Sequence, residues 1–402
     1  MTETAYRVPN AIFAILHMPY GIVSGFFTIT LGFLMAQAGI GTEAIAGIAA
    51  LCLFPLTWSV VWAPVVDFTL SYRAWYLIGT AAVALGIFLT GLVPVRPAFI
   101  FLLGVLAFGA CVASTFTAQV AAAFAARQPG QKGGAAGWFM AGSIGGNGAG
   151  GGLGLWIAHH TGGTPRIAAA VLALICLACC SVVVLFWEPV HHHRAPRLSA
   201  TLHNIWRDIL ALACSRDGLL AFTLLLLPIG TGAASYLWSA VAGDWHAGAD
   251  LVALATGLAS GAISAFGALL MGRLCDRFGA KTSYLACGVL MGAITVAMAL
   301  APRTPVMFAI FTMAYALSNG GMYASFAAVM LEAIGTACAA TKAPVMTCLT
   351  NVPILIMTMI EGHAQVRWGS GGMLAVEAAM TVASVLLFIP FAVFLRARTA
   401  AA

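Results

Sequence analysis

Residues Gly272 to Lys281 read GRLCDRFGAK, a charged decapeptide between two long apolar runs. A weaker form of this segment surrounds Asp67, and Asp276 lies 209 positions after Asp67. The same offset of 209 positions separates Pro228 from Pro19, and a glycine follows each proline two positions later. Two matched features at one spacing predict a chain built from two similar halves, which is a common architecture of solute transporters.

Composition predicts a membrane protein. Of the 402 residues, 62% are apolar and 7% are charged, whereas a soluble domain carries about 25% charged residues. Each crossing of a bilayer needs about 20 mostly apolar residues, and the chain offers twelve such spans. The predicted spans cover roughly residues 10–38, 43–63, 75–94, 97–125, 134–158, 167–187, 217–241, 250–271, 283–301, 306–333, 344–364 and 372–395.

One long connection divides the spans into two groups of six. We therefore predict an all-α membrane protein with an N-terminal six-helix bundle over 1–187, a cytoplasmic linker over 188–216 and a C-terminal six-helix bundle over 217–402. Within the linker, apolar side chains between Leu198 and Leu210 share one helical face. This pattern predicts an amphipathic helix at the membrane interface.

Basic residues predict the orientation. With the N-terminus inside, the cytoplasmic segments hold fourteen Lys and Arg residues and the outer loops hold four. This excess places both termini in the cytoplasm, and the membrane is the inner one if the source is bacterial. The net charge of +6 follows from the same asymmetry, so we expect no nucleic-acid partner. The first apolar run lacks a signal-peptide cleavage site, so we expect a retained helix.

The decapeptide resembles the signature loop of the major facilitator superfamily, and it falls between the eighth and ninth predicted spans, where the second copy of that loop belongs. The resemblance implies the major facilitator fold, with twelve helices in two pseudo-symmetric bundles. It also implies that the loop bridges neighbouring helix ends and holds one state of the transport cycle. Topology anchoring alone is the alternative. The gating candidates in the two copies are Asp67, Arg73, Gly272, Asp276, Arg277 and Lys281.

The first copy has a different resemblance. The segment from Trp62 to Asp67, followed by Arg73-Ala74-Trp75, is similar to the branch that contains muropeptide permeases, acetyl-CoA transporters and siderophore permeases. This resemblance implies uptake. Members of that branch carry acidic residues along the fourth helix, whereas Thr115, Thr117 and Gln119 occupy that region here.

Glycines recur every fourth residue in the fifth predicted span. A stripe without side chains lets another helix approach to backbone contact, and we predict the eighth span as its partner. The segment also resembles the antiporter motif of the superfamily, with Asn147 at the position of its proline, which implies export by proton exchange. Close packing alone is an equal alternative. The helix-packing candidates are Gly142, Gly146, Gly150 and Gly154, with Gly257 and Gly261 opposite.

Pro19 and Pro228 predict interruptions in the first helix of each half, because proline removes a backbone hydrogen bond. Matched interruptions are the best sequence indication of a midplane binding site. Polar and aromatic side chains within spans avoid lipid and face the interior. The substrate-binding candidates are His17, Tyr20, Ser24, Gln119, Asn147, Thr231, Tyr236, Trp238, Tyr315, Asn319, Tyr323 and Asn351.

Three titratable residues are candidates for proton coupling: His17, whose imidazole can change charge near neutral pH, Glu361 and Glu377. If none couples, the protein is a facilitator. No helix centre offers an Arg or Lys for a polyanion, so a neutral or amphipathic solute is expected. We expect no cofactor and a monomer.

The sequence therefore predicts a secondary active transporter of a small neutral or amphipathic solute, with a slight preference for proton-coupled export. Proton symport of a muropeptide-, siderophore- or sugar-like solute is the main alternative. A membrane enzyme is disfavoured because the dense histidines, at His159-His160 and at 191–193, lack a nearby carboxylate partner. For the same reason no metal site is expected.

Overall fold

The computed structural model describes residues 9–31, 34–35, 70–93, 97–127, 129–161, 165–185, 207, 210, 215–248, 251–252, 254–334 and 339–400. All regular secondary structure within these residues is helical. The second predicted span, Asp67 and the segment 191–193 lie outside them. Most of the predicted linker does too, so the amphipathic helix stays a prediction.

We number the described α-helices in chain order, independently of the predicted spans. They are α1 (Ala11–Gly25), α2 (Tyr72–Leu92), α3 (Pro97–Arg127), α4 (Lys132–Gly148), α5 (Gly154–His160), α6 (Pro165–Cys180), α7 (Arg216–Leu226), α8 (Trp238–Val241), α9 (Ala259–Phe278), α10 (Ala280–Leu300), α11 (Pro305–Ile334) and α12 (Ala339–Ala400). Short π-helical segments extend α1 over Phe26–Leu31 and join α4 to α5 over Ala149–Leu153.

The chain forms two compact units. Unit 1 comprises 1–124 and 138–194, and unit 2 comprises 125–137 and 195–402. The first turns of α4 therefore belong to unit 2, and the rest of this helix belongs to unit 1. The predicted division of the chain at the linker over 188–216 stays a prediction.

In unit 1, the glycine stripe of α4 packs against α1. A Cβ atom added to Gly146 would lie 2.4 Å from the carbonyl oxygen of Met18, and one added to Gly150 would lie 2.0 Å from that of Ile22. Glycines of α1 complete the contact, since a Cβ atom at Gly21 would lie 1.9 Å from the carbonyl oxygen of Ser143. The predicted partner, the eighth span, is therefore wrong for this stripe.

The residues of α4 that do contact α9 belong to its first turns. A Cβ atom added to Gly133 would lie 2.3 Å from the carbonyl oxygen of Gly272, and one added to Gly137 would lie 2.7 Å from that of Ala268. Glycines on one helix can contact more than one neighbouring helix. The sequence pattern shows which face of the helix lacks side chains, but not which helix packs against that face.

The predicted interruption at Pro19 is also wrong. α1 continues through Pro19 to Gly25, although proline leaves carbonyl groups in the preceding turn without their usual donors. Pro19 removes the donor to the carbonyl oxygen of Ile15. In the same turn, Tyr76 Oη and Thr117 Oγ1 donate to the carbonyl oxygen of Leu16 over 3.1 and 3.3 Å. Because these groups come from α2 and α3, neighbouring helices hold the proline-containing turn in helical form.

In unit 2 the interruption at Pro228 is confirmed. α7 ends at Leu226, and Gly230 and Gly232 adopt positive φ angles of 57° and 75°, which side chains strongly disfavour. A 3₁₀ turn over Ala233–Tyr236 and the short helix α8 follow. The break thus turns the chain and directs Trp238 into the interior of unit 2.

The rest of unit 2 is built on α11. This helix packs along α9 and α10, and α12 packs against α7 and α10. α12 bends at Gly369, where φ is 68° and ψ is −174°, a conformation that is essentially restricted to glycine. We call the parts before and after Gly369 the first and second arms of α12.

Seven helical segments among the described residues are long and apolar enough to cross a membrane. One of them, Val345–Phe394, has 50 residues and includes the bend at Gly369, so it is long enough for two crossings. The protein is therefore a multi-pass integral membrane protein.

Candidate functional site

Three buried polar residues of unit 2 form what we call the carboxyl cluster: Tyr315, Glu361 and Glu377. Their exposed fractions are 1%, 0% and 1%, respectively. The hydroxyl group of Tyr315 donates a short hydrogen bond to Oε1 of Glu377. The two carboxyl groups interact electrostatically with each other and with Tyr315. α11 and the two arms of α12 thus bring one hydroxyl and two carboxyl groups together.

The cluster has more acceptor oxygens than donors. Both carboxyl oxygens of Glu361 and the Oε2 atom of Glu377 are buried without a hydrogen-bond partner. Burying an ionised carboxylate without donors or a counter-charge costs far more than burying a satisfied group. The arrangement therefore favours taking up a proton or another cation at these oxygens.

The bend in α12 explains how the two glutamates meet. Glu361 lies eight residues before Gly369, and Glu377 lies eight residues after it. At a rise of about 1.5 Å per residue, both lie about 12 Å along their arms from the bend. Residues at equal distances before and after a bend between two helical arms lie at the same level. This equal spacing is present in the sequence but did not enter the predictions above.

Aromatic and amide groups lie beside the cluster. The ring of Trp238 meets the ring of Tyr315 edge-on, with centroids 5.2 Å apart and an interplanar angle of 88°. One turn further along α11, Asn319 packs against the interrupted segment, by which we mean residues 227–236 between α7 and α8. A Cβ atom added to Gly232 of this segment would lie 2.5 Å from the Oδ1 atom of Asn319. Tyr323 is half-buried on the same helix. Trp238, Tyr315, Asn319 and Tyr323 are therefore predicted residues that the structure collects in unit 2.

His17 lies in a different environment, within unit 1. Its ring is 3% exposed and stacks on Phe139 and Tyr20 at centroid distances of 3.7 and 5.0 Å. Nδ1 lies 3.0 Å from the carbonyl oxygen of Phe139, and Nε2 lies 3.0 Å from Oγ of Ser114. Because a carbonyl only accepts, Nδ1 is the donor, and the neutral ring is satisfied when Nε2 accepts from the hydroxyl of Ser114.

The other substrate candidates are dispersed. Asn147 donates to Oγ of Ser24 over 3.1 Å in unit 1, so these two residues link α4 to α1. In unit 2, Thr231 accepts from the backbone N–H of Ala233 over 3.4 Å. Tyr236 is 62% exposed, and Asn351 is exposed as well. The side chain of Gln119 is not among those described.

Among the gating candidates, Asp276 has the most specific contacts. Its Oδ1 and Oδ2 atoms accept from the backbone N–H groups of Gly133 and Gly134 over 2.6 and 2.7 Å. Both donors lie in the first turn of α4, where N–H groups have no partner within the helix and the helix dipole attracts a negative charge. Asp276 therefore caps α4 from α9, and we call this the Asp276 cap.

The other gating candidates have different surroundings. Gly272, one turn before Asp276, lets α9 approach the backbone of Gly133 and Gly137. The guanidinium group of Arg277 lies 5.3 Å from the ring of Phe278. Lys281 lines a pocket of about 230 Å³ with Lys132 and Glu332. Arg73 is half-buried near the start of α2, whereas Asp67 lies outside the described residues.

A further contact was not expected from the sequence. The Arg303 guanidinium lies 4.0 Å from the ring of the buried Trp245, and its Nη1 atom donates to Oγ of Ser370 over 2.7 Å. Ser370 follows the bend at Gly369, so Arg303 links the segment before α11 to the bend of α12. An arginine in a short predicted outer loop indicates no such partner by itself.

Comparisons with known proteins identify the fold. No family model matches the sequence, and no curated protein sequence matches it. Among solved structures, the major facilitator superfamily transporter FucP in its outward conformation has a TM-score of 0.71 at 15% identity, covering 96% of this chain and 99% of that chain. The proton:xylose symporter XylE bound to 6-bromo-6-deoxy-D-glucose has a TM-score of 0.69 at 14% identity, covering 95% and 96%.

A variant of the Escherichia coli fucose:proton symporter FucP matches similarly, with a TM-score of 0.68 at 15% identity. The protein thus has the major facilitator fold, as the decapeptide and the composition predict. The resemblance to the muropeptide and siderophore branch stays a prediction.

Proposed function

We propose that the protein is a secondary active transporter that moves a small amphipathic solute by alternating access and couples this movement to protons. The single observation that carries the proposal is the carboxyl cluster, whose unpartnered oxygens create a buried site for an exchangeable proton. Ionisable residues within membrane helices are costly and commonly mark ion or proton pathways. The similar solved structures include two proton symporters, which supports coupling.

The residues of the cluster have different roles in this proposal. Glu361 holds the exchangeable proton because neither of its oxygens has a donor. Tyr315 orients Glu377 by donating a hydrogen bond from its hydroxyl group. This bond stabilises a negative charge on Glu377, and that charge sets the affinity of the two carboxyl groups for the proton. Trp238 and Asn319 provide aromatic and amide surface for the solute. His17, whose two ring nitrogens are satisfied, acts as a link between helices.

The Asp276 cap is the proposed gating contact. Its two charge-assisted hydrogen bonds break whenever α9 and the first turn of α4 separate, and they form again when these elements meet. We propose that the bonds stabilise one state of the transport cycle. In the predicted orientation, with both termini in the cytoplasm, this contact lies at the cytoplasmic side of the membrane.

The proposal includes two candidate directions of transport, export and uptake. Export is favoured by the resemblance of the segment around Asn147 to the antiporter motif, although contacts with α1 account for the same glycines. Proton-coupled uptake of a sugar-like solute is the second candidate, because the similar structures are xylose and fucose symporters. An uncoupled facilitator would not need the carboxyl cluster.

A two-step experiment tests the proposal. Purified protein is first screened by thermal shift against sugars, short peptides, muropeptides, siderophores and hydrophobic cations at one acidic and one neutral pH, since ligands of the folded state raise its melting temperature. The solutes that bind are then followed in proteoliposomes carrying a pH gradient and an internal pH dye. The sign of the accompanying proton movement distinguishes export by exchange from uptake by symport.

Glu361→Gln is the test variant, and Asp244→Asn is the control at an exposed carboxyl group of the same unit. We expect Glu361→Gln to bind solute but to lose pH-driven accumulation, with Asp244→Asn unchanged. Equal accumulation by the wild type and Glu361→Gln would show that the cluster does not couple protons.

A further inference from the structure

The carboxyl cluster lacks a counter-charge. Among the described residues, no Lys, Arg or His forms an ion pair with either glutamate, and Glu361 has two unpartnered oxygens. Two arginines lie near the bend of α12. Arg303 donates to Ser370 and lies over Trp245, and Arg367, two residues before Gly369, is exposed. Glu361 is neutral when it is protonated, but its ionised carboxylate needs a positive charge from outside the protein.

The aromatic residues beside the cluster suit a particular kind of cation. Trp238 and Tyr315 lie in edge-to-face contact, and their ring faces attract ammonium groups, with Trp the strongest of the aromatic residues in this respect. A bare metal ion fits less well. Such ions require several oxygen or nitrogen ligands, and no group of three or more His, Cys, Asp or Glu side chains is found within the described ranges.

We propose that the transported solute carries an organic ammonium group and that Glu361 binds this group in exchange for its proton. This inference rests on the proposed function and specifies its substrate class. The exchange forms no covalent bond: the proton leaves Glu361 for water as the ammonium group arrives, and the ammonium leaves when a proton returns. The charge of Glu361 is neutralised both when it binds a proton and when it binds the ammonium group. The state in which Glu361 is ionised and binds neither is therefore the unfavourable one.

Glu361, and not Glu377, is the cation ligand because of hydrogen bonding. Glu377 already accepts from Tyr315, which partly compensates its charge and fixes its orientation. Glu361 has both oxygens available and lies on the first arm of α12, opposite the second arm that carries Glu377. The ammonium group would bind at Glu361, and the apolar part of the solute would pack on the aromatic side chains.

Other titratable groups lie on α12 itself and on the elements packed against it. On the first arm of α12, His363 and Arg367 are exposed, and Nδ1 of His363 lies 3.3 Å from the carbonyl oxygen of Met359. Lys281 of α10 and Glu332 of α11 line the pocket described above.

Tyr315 and Tyr323 lie on α11, while α10 contributes Tyr284 and Cys287, of which Cys287 donates to the carbonyl oxygen of Ser318 over 3.1 Å. The titratable residues of α7 are confined to its first turn, and Tyr236 of the interrupted segment is largely exposed. We therefore assign the pH dependence of cation binding to the carboxyl cluster, with Glu361 as the group that exchanges its proton.

The test compares a cation with its neutral isostere. Benzyltrimethylammonium and neopentylbenzene have the same shape, because a carbon atom replaces the charged nitrogen. Their affinities for the purified full-length protein are measured across a pH series, with tetraphenylphosphonium and phenethylamine as additional cations. We expect at least one cation to bind about tenfold more tightly for each pH unit of increase while one proton is displaced. Neopentylbenzene should show no such trend.

Glu361→Gln should lower the affinity for the cation at least about tenfold and abolish its pH dependence, because a neutral amide cannot compensate the charge. Asp244→Asn should behave like the wild type. The wild-type comparison does not depend on the folding of any variant. Equal binding of benzyltrimethylammonium and neopentylbenzene, or no binding of any of the three cations, would overturn the inference.

Failure of this inference can be distinguished from failure of the proposed function. Proton-coupled transport of neutral solutes, without cation binding, would preserve the transporter and reject the ammonium substrate. Cation binding with the expected pH dependence, but without transport in proteoliposomes, would support the cation site and reject the transporter assignment.

Discussion

His17 in unit 1 and Glu361 in unit 2 are both enclosed polar residues of apolar helices, but their surroundings differ. Each ring nitrogen of His17 has a partner within 3.0 Å, whereas neither carboxyl oxygen of Glu361 has one. A satisfied polar group stabilises the contact between helices, and an unsatisfied one is retained at a cost in stability. From this difference we propose a structural role for His17 and a functional role for Glu361, which burial alone does not distinguish.

The backbones of the two units differ as well: α1 of unit 1 is continuous, whereas the chain of unit 2 is interrupted and bent. In unit 1, α1 stays helical through Pro19 and lies in backbone contact with α4. In unit 2, the chain is interrupted at Gly230 and Gly232, and it bends at Gly369. Interruptions free backbone groups and allow local rearrangement near a binding site. We therefore assign a scaffold role to the α1–α4 contact and the chemistry to unit 2.

The largest effect is expected from breaking the scaffold. Gly146→Leu would drive a side chain into the backbone of Met18, which cannot yield without separating α1 from α4. The free energy of unfolding should fall by more than about 4 kcal/mol, and little folded protein should be recovered. Gly145→Leu is the adjacent control, because nothing lies within 4 Å of a Cβ atom at Gly145. Equal recovery of the two variants by size-exclusion chromatography would contradict the assigned contact.

A pair of hydroxyl deletions sharpens the comparison between the two buried titratable residues. Tyr315→Phe removes the donor to Glu377, and Ser114→Ala removes the hydroxyl partner of His17. Each deletion should cost about 1–3 kcal/mol of stability. Only Tyr315→Phe should displace the pH profile of transport, since His17 does not exchange a proton in this account. A displaced profile in Ser114→Ala would return His17 to the coupling mechanism.

A smaller effect is expected at the Asp276 cap. Asp276→Asn keeps one acceptor oxygen but loses the charge and one of the two hydrogen bonds to the first turn of α4. A cap of this kind contributes about 1 kcal/mol, so expression should stay near normal while the transport rate changes severalfold. Asp244→Asn, at an exposed aspartate of unit 2, is the control. An unchanged rate in Asp276→Asn would reduce the signature loop to a topology anchor.

The sequence predicts the fold well because the deciding signals are local. The decapeptide from Gly272 to Lys281, the low charge content and the spacing of Pro228 are each readable without tertiary structure. Pro19 shows the limit of this reasoning. Its effect on the helix depends on the hydroxyl groups of Tyr76 and Thr117, which are distant in the sequence.

The candidate site was only partly predictable for the same reason. Tyr315, Glu361 and Glu377 could be selected individually as polar residues in apolar spans, but their meeting depends on the bend at Gly369. The glycine stripe shows where a helix can approach closely, and the choice of α1 over α9 is made by the matching glycines of α1. Patterns within one helix specify its surface, and partners are specified by both surfaces together.

The most direct test of the central claim is infrared difference spectroscopy of the carboxyl groups in purified protein during a pH titration. The account predicts the C=O stretch of a buried, protonated carboxyl group that disappears as pH rises. This signal should be lost or displaced in Glu361→Gln and unchanged in Asp244→Asn and His17→Gln. If no protonated carboxyl signal is present, or if it persists unaltered in Glu361→Gln, the carboxyl cluster does not hold the exchangeable proton.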